Sequence, residues 1–182
     1  MSCVIILNGV GSVGKSTIAK ALQAIASAPF LHVEMDAFLE MMPEALQNHL
    51  SGFAFESIEE DRKPAIVIHT GPIGAQLIRG MHHAIAAMAD QGNNLIVDDV
   101  MTVEGGAAYR DLLSRHTLHL VGLFAPLEVL EARERERGNR GIGLARWQFY
   151  RVHRGMEYDL AIDTSLNSPT ACAALIKQQF GL

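Results

Sequence analysis

Residues 6–22, with the sequence ILNGVGSVGKSTIAKAL, join a short apolar run to a segment of helical character. Within this stretch, residues 9–16 (GVGSVGKS) match the pattern G-x-x-x-x-G-K-[ST]. Glycines permit positive φ angles and close backbone approach, so successive N–H groups can converge on phosphate oxygens. The helix predicted to begin near Lys15 adds unpaired amides and the positive end of its dipole. The stretch therefore predicts a strand, a phosphate-binding loop and a helix.

Two side chains of this loop have predicted roles with a nucleoside triphosphate. Lys15 would reach the β- and γ-phosphates, and the Ser16 hydroxyl would ligate Mg²⁺. The alternative is a glycine-rich turn that merely links a strand to a helix, but such a turn has no need of a Lys-Ser pair at these offsets. The predicted nucleotide-binding residues of the loop are Gly9, Gly11, Ser12, Val13, Gly14, Lys15, Ser16 and Thr17.

Length and charge limit the possible partners. The chain has 182 residues, is 49% hydrophobic and carries a formal charge of -5, which predicts one domain, residues 1–182, with one packed core. Because no global basic field exists, we expect neither a nucleic-acid nor a membrane partner. Cys3 and Cys172 lie in apolar runs, and residues 1–10 do not resemble a signal peptide. A cytoplasmic location is expected, and the sequence predicts no oligomeric state.

Short apolar runs alternate with longer helical segments along the chain. This alternation predicts an α/β fold with a parallel sheet wrapped by helices. The segments 51–70 and 138–143 have no clear assignment. The predicted strands are residues 3–7, 30–34, 94–100, 118–124 and 160–162, and the predicted helices are residues 15–27, 37–48, 72–91, 127–137, 144–154 and 169–180.

The chain's motifs and size favour one kind of nucleotide-using protein. The N-K-x-D element that a GTPase uses to recognise guanine does not occur in the sequence. Motor and clamp ATPases usually have longer chains with coupled modules. A chain of 182 residues leaves room for little beyond a nucleotide and a small acceptor, which favours a small-molecule kinase.

Asp36 directly follows the second predicted strand. It therefore lies at the carboxyl edge of the sheet, where open α/β folds place their ligands. A carboxylate with an ordinary pKa of about 4 can orient an acceptor hydroxyl and take its proton as the transition state develops. Asp36 is the predicted catalytic base. The alternative is that Asp36 caps a helix starting at Ala37.

Asp98 and Asp99 end the third predicted strand, at the same edge of the sheet. A carboxylate there can hold Mg²⁺ directly or through water. Adjacent strand residues face opposite ways, so we expect one of them to serve the metal, and Asp98 is preferred. Alternatively, the pair forms a solvated edge or a helix cap.

Arginines cluster around a glycine-bounded turn in residues 133–143, which we predict to form a lid that excludes water. On a helix, Arg133 and Arg137 share one face. Arg137 and Arg140 are predicted catalytic residues that contact the phosphates. The alternative is an exposed helix with surface ion pairs to Glu131, Glu134 and Glu136, each worth about 0.3–0.5 kcal/mol, and it is preferred for Arg135.

The acceptor would lie between the residue 37–48 segment, the unassigned loop and the start of the residue 72–91 helix. These segments supply apolar side chains that suit a flat, partly apolar molecule, although each could equally belong to the core. The eight histidines show no compact ligand pattern, which argues against a structural zinc site. The apolar candidates are Phe38, Met41, Met42, Leu46, Phe53 and Phe55.

Five segments together resemble the chloramphenicol phosphotransferase family of P-loop kinases: VIILNGVGSVGKS, VEMDAFLEMMP, LIVDDV, RERERGNRG and VHRGMEYDLAIDTS. The resemblance implies a three-layer α/β/α fold with a five-stranded parallel sheet, related to shikimate and nucleotide kinases. It also implies that Mg·ATP phosphorylates a hydroxyl, with Asp36 as the base and the lid arginines at the phosphates. By the same resemblance, Arg133 would lie on adenine, bordered by Asp163, Thr164 and Ser165.

These observations predict an ATP-dependent O-phosphotransferase that acts on the hydroxyl of a small molecule, with chloramphenicol or a related antibiotic as a candidate. Two alternatives stay open. One is a nucleotide-binding regulatory protein without a small-molecule acceptor, and the other is a nucleotide or metabolite kinase. A nucleoside monophosphate kinase ranks lower, because it must bind a second phosphorylated substrate and few cations are available near the expected acceptor site.

Overall fold

The computed structural model describes residues 1–60, 62–138 and 141–182. In chain order, the strands are β1 (Cys3–Asn8), β2 (Phe30–Glu34), β3 (Phe53–Glu60), β4 (Lys63–Thr70), β5 (Asn94–Asp99), β6 (Thr117–Phe124) and β7 (Leu160–Asp163). Five of them form a parallel sheet in the order β2-β5-β1-β6-β7. The other two, β3 and β4, form an antiparallel hairpin.

Helices cover both faces of the parallel sheet. In chain order they are α1 (Lys15–Ile25), α2 (Met35–Leu39), α3 (Pro72–Asp90), α4 (Val103–Leu112), α5 (Leu127–Arg137), α6 (Leu144–Phe149) and α7 (Pro169–Phe180). Helices α1, α5 and α7 contribute to the core on one face. Helices α3 and α4 contribute to the core on the other face. The predicted three-layer α/β fold with a five-stranded parallel sheet is confirmed.

The central strand β1 shows why the sequence builds these layers. Its side chains alternate between the two faces, as strand geometry requires. Ile5 and Leu7 pack with the core that contains α1, whereas Val4 and Ile6 pack with the core that contains α3. All four side chains are fully buried. A strand covered on both faces must be apolar throughout, which explains the run VIIL.

Several predicted elements were wrong or missing. The helix predicted for residues 37–48 was wrong, because α2 ends at Leu39 and a separate 3₁₀ turn spans Glu44–Leu46. Pro43 explains the break, since a proline removes a donor and disfavours helical geometry at the residue before it. Helix α4 was not predicted, because Gly105 and Gly106 weaken its helical signal. The helix predicted for residues 144–154 ends at Phe149.

The unassigned segment 51–70 contains the β3–β4 hairpin, which packs against the start of α6. Ile66 N donates to Gly143 O at 3.1 Å, which joins β4 to α6. Gly143 has φ 105°, and a Cβ there would lie 2.5 Å from Pro64 O. Only glycine fits this position, because both the backbone angle and the close approach exclude a side chain. The hairpin is therefore attached to the segment that follows α5.

The acidic residues of α5 are not all surface groups, which corrects one alternative for this helix. Glu134 is 4% exposed, and its carboxylate accepts hydrogen bonds from Gly143 N and Ala145 N, each at 2.8 Å. Glu131 pairs with buried Arg146 and lies 3.6 Å from Lys63 Nζ. These contacts tie α5 to α6 and to the hairpin. Arg135 and Glu136 are exposed, as the alternative expected.

Of the helices in the described part of the chain, none combines the length and apolar character needed to cross a bilayer.

Candidate active site

The phosphate loop, residues 9–16, connects the end of β1 to the start of α1, as predicted. Two of its residues have positive φ angles, 65° at Ser12 and 103° at Gly14. Gly9 is required for a different reason, since a Cβ there would lie 2.7 Å from Leu123 O on β6. The loop can therefore adopt this shape only with small residues at close contacts and a left-handed glycine before the helix.

Lys15 and Ser16 meet Asp98 at the carboxyl edge of the sheet. Lys15 Nζ donates to Gly9 O at 2.8 Å and to Val10 O at 3.3 Å, and it lies 3.7 Å from Asp98 Oδ1. The Ser16 hydroxyl donates to Asp98 Oδ2 at 2.5 Å. The predicted phosphate-binding lysine and both predicted metal ligands are therefore in one contact group.

Asp99 faces the other side of the sheet. Its carboxylate accepts hydrogen bonds from the Tyr109 hydroxyl at 2.8 Å and from Val100 N at 2.7 Å. Burial raises the pKa of Asp99, opposed by the hydrogen bond from Tyr109. Asp99 is thus a core residue next to α4, and Asp98 is the member of the pair that lies near the loop.

Asp36 lies in the first turn of α2, beside the loop. Helix α2 begins at Met35 with Glu34 at its N-cap, so the alternative role of Asp36 as the cap of a helix starting at Ala37 was wrong. Asp36, Asp98 and Arg137 line a cavity of about 290 Å³. The loop residues that line the same cavity are Gly11, Ser12, Gly14, Lys15, Ser16 and Thr17.

The predicted arginines have different positions. Arg133 donates to the Thr164 hydroxyl at 3.0 Å, to Thr164 O at 2.9 Å and to Val13 O at 3.5 Å. It therefore connects the phosphate loop to the loop after β7. Arg137, one turn later on α5, is exposed and also lines the 290 Å³ cavity. Arg140 lies outside the described residues.

A second cavity, of about 480 Å³, is also bordered by Arg133. The loop after β7 supplies Thr164 and Ser165 to its wall, and the phosphate loop supplies Ser12, Val13 and Gly14. The Asp163 carboxylate accepts from Ser165 N at 2.7 Å and from the Ser165 hydroxyl at 2.6 Å, and these hydrogen bonds lower the pKa of Asp163. Asp163 thus shapes the loop that borders the cavity.

The apolar residues predicted for the acceptor wall do not form one surface. Phe38 packs against the core beneath α3, and Met42 is buried. In contrast, Met41 is 64% exposed and Phe55 is 49% exposed. Phe38 and Met42 therefore pack toward the protein interior, whereas the exposed Met41 follows the end of α2 and Phe55 lies on β3.

Sequence reasoning missed Gln148 and Glu34. Gly11 N donates to Oε1 of buried Gln148 at 2.7 Å, so α6 holds one amide of the phosphate loop. The two residues are 137 positions apart, and no local pattern connects them. Glu34 lines the 290 Å³ cavity, and its place at the end of a predicted strand was an available signal.

His32 was also missed as a neighbour of the site. It lies near Glu34 and Asp98, so within the described residues one histidine does approach two carboxylates. Burial lowers the pKa of His32, opposed by the nearby charges of Glu34 and Asp98. The ligand spacing was not visible in the sequence because the three residues come from two strands.

Together, the five-stranded parallel sheet, the glycine loop after β1 and the carboxylates at the same sheet edge define a P-loop kinase. A family model described as "Chloramphenicol phosphotransferase-like protein" matches residues 2–181. The chain belongs to the chloramphenicol phosphotransferase-like family, which confirms the predicted resemblance. At the level of reaction class, it is a kinase-type phosphotransferase.

Individual relatives agree with this assignment. A Mycobacterium tuberculosis protein named "Putative O-phosphotransferase" is 32% identical over 167 residues, covering 88% of this chain and 74% of that protein. A sugar kinase structure from Janibacter sp. HTCC2649 has a TM-score of 0.71 at 20% identity, covering 100% of this chain and 95% of the other. The APS kinase of M. tuberculosis has a TM-score of 0.68 at 15% identity, with 100% and 98% covered. The two structures show a common fold.

Proposed function

We propose that this protein uses Mg·ATP to phosphorylate a hydroxyl group of a small molecule, and that chloramphenicol is the first acceptor to test. One observation carries the proposal: the 290 Å³ cavity is lined at once by the phosphate loop, Asp36, Asp98 and Arg137. Phosphoryl transfer depends mainly on positioning and charge neutralisation, and this cavity combines a phosphate-binding backbone with a carboxylate and a cation.

The loop geometry fits a polyphosphate chain. Among the described residues other than Gly14 and its two chain neighbours, no heavy atom lies within 4 Å of the position that a Cβ of Gly14 would take. This open backbone at the start of α1 suits close approach by an anion. Lys15 would neutralise phosphate charge, and the 480 Å³ cavity bordered by Arg133 and Thr164 would take the nucleoside. The APS kinase neighbour, whose structure contains AMPPNP, has the same fold.

Ser16 and Asp98 fit a magnesium site, because both offer hard oxygen ligands and are already in contact at 2.5 Å. Bound Mg²⁺ would neutralise charge on the phosphate oxygens. Asp36 would orient the acceptor hydroxyl from α2 and accept its proton late in the reaction. Arg137 would add positive charge from the end of α5, next to the segment proposed as a lid.

The test is incubation with labelled ATP and a panel of hydroxyl compounds that includes chloramphenicol, with product detection by mass spectrometry. Asp36→Asn should lower turnover by about 100-fold or more, the usual contribution of a general base, and should leave ATP affinity nearly unchanged. Glu40→Gln is the matched control, because this exposed carboxylate lies one turn further along, at the end of α2.

Two results would contradict the proposal. Full activity of the Asp36→Asn variant would show that Asp36 is not the catalytic base. A second contradicting result is Mg-dependent ATP binding with no phosphorylated product from any compound in a metabolite extract. That result would favour a nucleotide-dependent regulatory protein, and a partner protein should then co-purify with it only when nucleotide is present.

A further inference from the structure

Three potential metal ligands from two adjacent strands meet beside the phosphate loop. His32 and Glu34 lie two residues apart on β2, so their side chains leave the same face of the sheet. Strand β2 pairs with β5 so that Glu34 is opposite Asp98. One nitrogen or oxygen atom from each residue lies within 4.8 Å of the others. The sheet register thus brings one imidazole and two carboxylates together.

The environment of His32 indicates that its side chain binds a group that the described residues do not supply. Its side chain is 9% exposed, and its Nε2 atom has no hydrogen-bond partner among residues 1–60, 62–138 and 141–182. Nε2 is 4.0 Å from Asp98 Oδ2, and Nδ1 is 3.6 Å from Glu34 Oε1. Both distances are too long for hydrogen bonds. A buried nitrogen without a partner is unfavourable, so a group that binds it together with the facing carboxylates would stabilise this arrangement.

The chemistry of the three groups selects the kind of ligand. Mg²⁺ prefers oxygen ligands alone, whereas imidazole combined with carboxylates suits first-row transition metals. We propose that His32, Glu34 and Asp98 bind a divalent first-row transition-metal ion, such as Mn²⁺, Co²⁺ or Zn²⁺. Asp98 also contacts Ser16, so this ion lies next to the phosphate loop and shares one carboxylate with the magnesium site proposed above.

The proposed ion differs from the proposed magnesium ion because its ligand set includes a nitrogen, and its binding does not depend on a nucleotide. The first test therefore uses tag-free protein without nucleotide. Mn²⁺ is added at one equivalent, and pulsed electron paramagnetic resonance detects nuclei bound to the ion. We expect a nitrogen coupling from imidazole in the wild-type protein. A spectrum with only oxygen ligands and water would overturn the proposal.

A second test measures Zn²⁺ affinity by equilibrium dialysis. His32→Gln should weaken binding by at least about tenfold, because removing even an outer-shell partner of a metal site costs about 10–100-fold. His69→Gln is the matched control, since His69 also lies beside a glutamate, 2.8 Å from Glu56, but on the exposed hairpin. Equal affinity in the wild-type and His32→Gln proteins would contradict the site. Glu34→Gln provides an independent variant if His32→Gln fails to fold.

Discussion

Asp98 and Asp99 show how two neighbouring residues of the same type acquire different roles. Strand alternation predicts that they face opposite ways, but it does not say which one faces the phosphate loop. Partners distant in sequence decide this: Ser16 contacts Asp98, and Tyr109 contacts Asp99. The sequence therefore identified the two aspartates at the strand end. Only the packing of α1 and α4 shows which aspartate faces the phosphate loop and which one faces the core.

His153 illustrates a residue whose environment affects stability. Its ring stacks on Phe124 with centroids 4.0 Å apart, and its Nδ1 is 2.7 Å from the Tyr158 hydroxyl oxygen. Burial is the main reason that the pKa of His153 falls to about 4. A neutral ring is therefore favoured in the folded protein.

The lowered pKa of His153 predicts a loss of stability in acid. Between its ordinary pKa of about 6.5 and its folded pKa of about 4, the unfolded chain binds the proton first. The contribution of His153 to stability is thus complete above pH 6.5 and is lost as the pH falls toward 4. We expect the free energy of unfolding of His153→Gln to fall by about 1–2 kcal/mol less than that of the wild type between pH 7 and pH 4. This value is smaller than the full change in pKa implies, because the ring is partly exposed.

Urea unfolding at pH 7, 6, 5 and 4 measures this effect through the slope of unfolding free energy against pH. His83→Gln, which changes an exposed histidine on α3, should keep the wild-type slope. An unchanged slope in His153→Gln would show that this ring does not contribute.

Helix α6 shows how an element can depend on a side chain from another element. Its six residues are too few for a stable isolated helix. The Glu134 carboxylate on α5 accepts hydrogen bonds from two backbone amides at the start of α6. These amides are donors that the first turn of a helix otherwise leaves unpaired. The position of α6 in turn decides where Gln148 meets the phosphate loop.

Glu134→Ala should therefore destabilise the fold by about 2–3 kcal/mol, since it leaves two buried amides without their acceptor. It should also weaken nucleotide binding, because Gln148 loses its fixed position. Glu136→Ala, an exposed change on the same helix, should alter stability by less than about 0.5 kcal/mol. Denaturant unfolding of the two variants makes the comparison, and equal stabilities would contradict a capping role.

The elements differ in how well the sequence predicted them. The strands of the parallel sheet were found because strands buried on both faces are continuously apolar. The β3–β4 hairpin was not found, since charged residues such as Glu56 and Glu59 and the proline at position 64 obscure its alternation. Its partners on α6 hold it in place, and such tertiary contacts leave no periodic signal in one sequence.

At the scale of the whole molecule, the parallel strands bring distant residues to one edge. Asp36 follows β2, Asp98 lies at the end of β5, and the phosphate loop follows β1. Parallel strands end at the same edge of a sheet, so these residues could be grouped from the sequence. Glu34 could have been added by the same rule, since it ends β2. His32 and Gln148 could not be placed at the site from the sequence, because their positions depend on strand register and on the location of α6.

Nucleotide binding should stabilise the whole protein by mass action. Mg·ATP at a hundredfold excess over its Kd should add about 2.7 kcal/mol, which corresponds to a rise of roughly 5–10 °C in Tm for a domain of this size. Lys15→Met should show little or no rise at the same concentration. Lys20→Met, which changes an exposed lysine on α1, should respond like the wild type. Equal responses of the two variants in a thermal shift experiment would exclude Lys15 from the nucleotide site.

The strand order also has a consequence for biosynthesis. The apolar strands β1 and β2 emerge first from the ribosome, but β5, which separates them in the sheet, follows about 60 residues after β2. The hairpin can pair at once through Glu60 and Lys63. Non-local pairing is slow, and unpaired apolar strands favour aggregation. We therefore expect nascent chains that stop before Asn94 to need chaperone protection, and folding to be complete only after α7, which packs in the same core as α1, has been released.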